Sequence, residues 1–117
     1  MNIREELGRR VLILDGAMGT MLQSAGLPAG QEPELWNVQR PEAVLDIHRQ
    51  YLAAGADIVT ANTFGANSVK LSGRPVEELA AAGVRLARQA VEEAGHGWAA
   101  LDVGPTEYTH KQIVAER

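Results

Sequence analysis

Val11-Leu12-Ile13-Leu14-Asp15-Gly16-Ala17-Met18-Gly19-Thr20 is the stretch on which the fold turns. Four aliphatic residues in a row, with β-branched Val11 and Ile13 among them, read as a strand buried on both faces. A carboxylate on the next position, followed by two glycines in four residues, neither extends a strand nor starts a helix well. It presents an acid and several bare backbone N–H groups at the carboxyl end of a strand. In parallel α/β folds that edge is where ligands bind.

Working outward, strand-like and helix-like segments alternate. Residues 18–25 suggest one or two helical turns, and a loop rich in Gly and Pro follows from Gly26 to Arg40. Pro41 opens a helix at a position where its missing N–H does no harm, with Glu42 in the first turn. Val44, Ile47, His48, Tyr51 and Leu52 form a stripe at helical spacing, and Gly55 supplies the stop. Asp57 to Ala61 reads as a second strand that ends in the polar turn Asn62-Thr63-Phe64-Gly65. A second long helix is expected from about Pro75 to Ala94, its buried face marked by Val76, Leu79, Ala80, Val84, Ala87, Val91 and Ala94. Trp98 to Val103 reads as a third strand, closed by Gly104-Pro105-Thr106.

The order is therefore β-α-β-α-β, an α/β arrangement with parallel strands and right-handed crossovers. Three strands and two long helices close nothing. They fit either the opening part of a (β/α)8 barrel, which takes about 250 residues, or a small open sheet.

Composition narrows the functional classes. The chain has 117 residues, so one domain at most, and it is 45% hydrophobic and 22% charged, which is enough apolar material for a core. A net charge of −4 gives no reason to expect a nucleic acid or an anionic membrane as partner. No apolar stretch approaches the ~18 residues of a membrane span. The N-terminus, with Glu5, Glu6, Arg9 and Arg10 ahead of a short apolar run, does not read as a signal peptide. A cytoplasmic location is the expectation. There is no cysteine, so a disulfide, a thiolate metal site and a cysteine nucleophile are all excluded within these residues.

Among candidate residues Asp15 leads. An isolated Asp after a strand commonly caps the next helix or turn, but its place at the strand's carboxyl end favours ligand binding. The turn is neither a dinucleotide fingerprint nor a P-loop. Asn62, Thr63 and Phe64 combine polar groups with one aromatic ring at the second strand end, which suits a small polar ligand with an apolar part and equally suits a hydrogen-bonded turn. Gly104-Pro105-Thr106 is ordinary punctuation. His48 lies on an apolar stripe and reads as a partly buried packing residue. With His96 and His110 it has no metal-site spacing. Arg88 and Glu92 form a surface i,i+4 pair, and Asp57 and Asp102 bracket strands as structural residues.

Taken in order, Leu14-Asp15-Gly16-Ala17-Met18-Gly19-Thr20, Arg40-Pro41-Glu42, the run Ala54 to Asn67 and Gly104-Pro105-Thr106 resemble the start of the homocysteine S-methyltransferase family. The similarity covers residues 11–106. The Met18-Gly19-Thr20-Met21 wording is most like the homocysteine domain of the cobalamin-dependent methionine synthases, and so tilts the methyl donor toward methyl-cobalamin. The resemblance implies the first third of a (β/α)8 (TIM) barrel that binds homocysteine at the carboxyl ends of its strands. In that family zinc, held by cysteines from later strands, keeps the homocysteine sulfur as a thiolate for methyl transfer to give methionine. By the same resemblance Asp15 pairs with the substrate ammonium. Backbone N–H groups of Gly16, Ala17, Met18 and Gly19 take its carboxylate, and Asn62, Thr63 and Phe64 line the pocket.

Two departures shape the expectation. Residues 107–117 form a divergent polar tail after a partial barrel domain over 1–106, and the zinc-ligand cysteines are absent. The reading is an N-terminal portion of such an enzyme, binding homocysteine but inactive alone. Its unpaired sheet edge and exposed apolar face favour self-association, or a second polypeptide that completes the barrel. The alternatives are a non-catalytic α/β binding module and a functionless truncated remnant.

Overall fold

The computed structural model describes residues 2–64 and 76–101. Gly65 to Pro75 and Asp102 to Arg117, with the expected turn Gly104-Pro105-Thr106, His110 and the polar tail, lie outside the described residues. A short helix α1 (Ile3–Leu7) begins where the Asn2 side chain accepts from the Glu5 N–H. Helix α2 (Met18–Ser24) follows the glycine turn. Helix α4 (Pro41–Ala53) starts on Pro41 as expected, and Gly55 leaves it with φ +112°, a left-handed conformation that glycine adopts at no steric cost. Strand β1 (Ile58–Thr60), helix α5 (Val76–Ala94) and strand β2 (Trp98–Ala100) complete the order. β1 and β2 are parallel, with Ile58 opposite Trp98 and Thr60 opposite Ala100.

Helix α4 buries the apolar stripe that its periodicity announced. On α5 the buried face is Leu79, Ala82, Gly83, Leu86, Ala87 and Ala90. It is turned from the expected one, so that Val76, Ala80, Val84 and Val91 are half-buried at its margin and Ala94 is exposed. Val44, Leu45, Ile47 and Leu52 of α4 join Leu86, Ala87 and Ala90 of α5, and Val59 of β1, in one core cluster. Val59 is fully buried while Ile58 and Thr60 are half-buried, because successive strand side chains point to opposite faces.

Three further expectations need correction. The loop from Gly26 to Arg40 holds a 3₁₀ turn (Pro33–Leu35) and a single helical turn α3 (Trp36–Gln39). Glu34, Leu35, Trp36 and Asn37 are all buried there, and the Arg40 guanidinium stacks 4.9 Å from the Trp36 ring centre. Burial of Trp36 overrides a composition that reads as loop.

The N-terminal run Val11 to Leu14 is not a strand buried on both faces. Only Leu14 forms a bridge, parallel to Ile58, and Val11 is 85% exposed and Leu14 61%. Its backbone is nonetheless tied to β1: Asp57 N donates to Ile13 O (2.8 Å) and Asp15 N to Ile58 O (3.0 Å). The segment is aligned as an edge strand with too little cover to bury it. Finally, on the surface of the long helices Arg49 pairs with Glu93 (Nε–Oε2 2.8 Å) and more loosely with Glu42 (3.7 Å), and Arg88 with Glu92 is not among the ion pairs of the described residues.

Asp57 acts as the structural residue it was read to be. Its carboxylate takes the Arg10 guanidinium (3.0 Å) and the Ile13 N–H (2.9 Å), while Arg10 also reaches Glu6. The Ile13 N–H and the Arg10 charge hold the Asp57 carboxyl below its usual range. Among the described residues no helix is long and apolar enough to cross a membrane.

Candidate functional site

Asp15 stands at the carboxyl end of the bridged segment and reaches sideways to β1. Its Oδ2 accepts from the Thr60 backbone N–H (3.0 Å), and its Oδ1 accepts from the Thr60 hydroxyl (2.9 Å). Asp15 does not cap α2. The residue at that N-cap is Ala17, which provides no side-chain bond to the first helical turn. The carboxylate thus reaches across the sheet to β1, at the strand edge, and does not cap the helix that follows.

The turn after it is tightly fitted. A Cβ placed on Gly16 would lie 2.6 Å from the Tyr51 hydroxyl oxygen and 3.2 Å from its ring, so any larger residue forces Tyr51 or the turn to move. Gly16 and Ala17 are exposed, and Met18 and Gly19 are half-buried at the start of α2. Backbone and acid are therefore presented together at one accessible edge.

The second strand end is built differently. Asn62 is only 4% exposed, and its amide donates to Pro33 O (2.8 Å) and Asn37 Oδ1 (3.0 Å). Asn37 returns the contact, donating to Asn62 O (2.8 Å) and Leu79 O (2.9 Å). Thr63 is buried, with its N–H on Ala61 O (2.8 Å). Behind this corner α5 comes close at Gly83, where a Cβ would lie 2.8 Å from Asn37 Nδ2, 2.9 Å from Thr63 Cγ2 and 3.1 Å from Asn62 O. Phe64, half-exposed at 49%, follows the locked corner. Asn62 and Thr63 fix the backbone, and Phe64 is the one of the three whose side chain faces outward.

Sequence reading passed over Thr60, Asn37, Tyr51 and Gly83. Gly83 carried a usable signal, since a lone glycine inside a helical pattern commonly marks a close approach. The other three carried none, because their partners lie far along the chain.

His48 is fully buried, not partly, and neither ring nitrogen has a hydrogen-bond partner. Burial lowers its pKa to about 4, so the neutral form is the native one. Zinc does not fit these residues. The sequence contains no cysteine, and among the described residues no group of three His, Asp or Glu side chains is placed to hold a metal ion.

Residues 12–116 match the homocysteine S-methyltransferase family. Over 102 residues the chain is 39% identical to the methionine synthase of Mycobacterium leprae, covering 79% of this chain and 8% of that protein. Against the methionine synthase of Mycobacterium tuberculosis it is 38% identical over 104 residues, covering 80% and 9%. Among solved structures, the metallated form of the homocysteine methyltransferase MmuM from Escherichia coli superposes with a TM-score of 0.75 at 27% identity. That superposition covers 97% of this chain and 43% of the other. The oxidized form of the same enzyme gives 0.75 at 30% identity, covering 88% and 40%. The chain thus spans less than half of the solved relative and under a tenth of the two methionine synthases.

Proposed function

The chain belongs to the homocysteine S-methyltransferase family, and from that premise we propose that it supplies the amino-acid end of a homocysteine pocket. It does so as the N-terminal portion of a (β/α)8 barrel, with the family match itself running on to residue 116. The observation that carries this reading is Asp15, held at a strand's carboxyl end beside an exposed glycine turn. Its carboxylate pairs with the ammonium group of homocysteine, and the turn Gly16-Ala17-Met18-Gly19 offers backbone N–H groups to the α-carboxylate. The corner at Asn62 and Thr63 sets the pocket wall on which Phe64 meets the apolar part of the ligand.

Methyl transfer asks for a homocysteine thiolate, and a free thiol with pKa near ~8.5 is mostly protonated at neutral pH. In this family zinc supplies that activation, but the sequence has no cysteine, and no group of three His, Asp or Glu side chains among the described residues fits the metal. These 117 residues alone therefore make no methionine, and the zinc ligands lie outside them. Methyl-cobalamin is the donor this reading favours, and the cytoplasm the place of action.

The test is titration of homocysteine into the chain and its Asp15→Asn variant by isothermal calorimetry. Loss of the charged contact is expected to weaken binding roughly tenfold or more. Equal binding by both contradicts the ammonium contact, and zinc-dependent methionine formation by the chain alone contradicts the assignment as an incomplete enzyme. The described core, sealed around Val44, Leu45 and Val59, favours one rival, a self-sufficient binding module. It differs in requiring no complement for cooperative folding.

A further inference from the structure

We infer that Thr60 is the positioning residue for the Asp15 carboxylate and that, through it, the site selects ligands that carry an ammonium group. This rests on the reading of Asp15 as the ammonium partner. Thr60 makes two bonds to two different oxygens: its N–H to Oδ2 at 3.0 Å and its hydroxyl to Oδ1 at 2.9 Å. One donor would leave the carboxylate able to swing about that bond. Two donors on separate oxygens fix its plane. The Asp15 main chain is fixed by the same strand, since its N–H donates to Ile58 O at 3.0 Å. Thr60 thus engages both oxygens of the carboxylate and sets the direction in which it faces.

Strand propensity alone would not single out threonine here. Valine has the same shape and an equal preference for a pleated, half-buried surface, and it would keep the backbone N–H. What the hydroxyl adds is the second anchor. Holding a carboxylate in its ligand-bound orientation before the ligand arrives removes an ordering cost from binding. That gain applies to a group that binds the carboxylate and to no other part of the ligand.

The test compares homocysteine with 4-sulfanylbutanoate, the same molecule without its amino group, each titrated into the full chain and followed by amide NMR. Wild type is expected to prefer homocysteine. Thr60→Val should weaken homocysteine about tenfold and leave the deaminated analogue within about twofold, while Thr60→Ser, which keeps the hydroxyl, restores the preference. A merely structural strut would weaken both ligands alike. Equal loss on both, no loss on either, or loss of the preference in Thr60→Ser overturns the inference while homocysteine binding stands. A wild type that binds both ligands equally removes the ammonium contact, and one that binds neither removes the proposed function itself. The inference falls in either case.

Discussion

Strand β1 and the segment 11–14 run side by side, both rich in branched aliphatic residues, yet they meet opposite environments. Val59 is sealed beneath the helices, in one cluster with Val44, Leu45 and Ala87. Val11, Ile13 and Leu14 lie open, although their backbone is bonded to β1 at Ile13 and Asp15. Composition sets what a strand seeks, and neighbours decide what it receives. β1 sits between two partners and under two helices. Segment 11–14 stands at the edge, and no described element covers its outer side. A row of open aliphatic side chains on an edge strand is a surface for association.

The largest expected effect sharpens that contrast directly. Leu45→Ala, in the sealed cluster, should cost about 2–5 kcal/mol of stability by leaving a cavity. Ile13→Ser, on the open segment, should stay within about 0.5 kcal/mol. Paired denaturant melts check both, and a similar loss from the two would erase the distinction.

Acid tests the sealed side alone. His48 has its pKa lowered to about 4 by burial, against an ordinary 6.5 when unfolded. Between those values the unfolded chain binds the extra proton, so stability is full above pH 6.5 and falls as pH drops toward 4. The loss is on the order of 3 kcal/mol. His48→Leu should flatten that slope in melts recorded from pH 7 to pH 4, and an unchanged slope would show that other groups carry it.

A smaller effect is expected where α5 meets the second strand end. Gly83→Ala drives a methyl against Asn37, Thr63 and the Asn62 carbonyl, at roughly 1–3 kcal/mol, less up to about 1 kcal/mol gained in helix propensity. Because it presses on the Asn62 corner, it should also weaken homocysteine binding. Stability and affinity that both match wild type would mean the corner has room to give.

Much of this was readable in advance. The helices at Pro41 and near residue 76, the parallel strand order and the stop at Gly55 follow from periodicity and punctuation, which are local. Asp15 was singled out by its place after an aliphatic run. Its partner was not legible, because the contact with Thr60 spans 45 residues and depends on strand register. The same holds for Asn37, which looks like a loop residue until Asn62 and Leu79 are folded around it. The exposed state of segment 11–14 was hidden for a different reason: an aliphatic run reads as buried whether or not its cover is present.

Sedimentation velocity of the purified chain over a wide concentration range, beside Ile13→Ser, tests most directly whether this sheet is one finished face of an incomplete barrel. The account predicts association that grows with concentration and recedes in Ile13→Ser. A monomer of unchanged size at every concentration, identical in both proteins, would contradict it and favour a self-sufficient module.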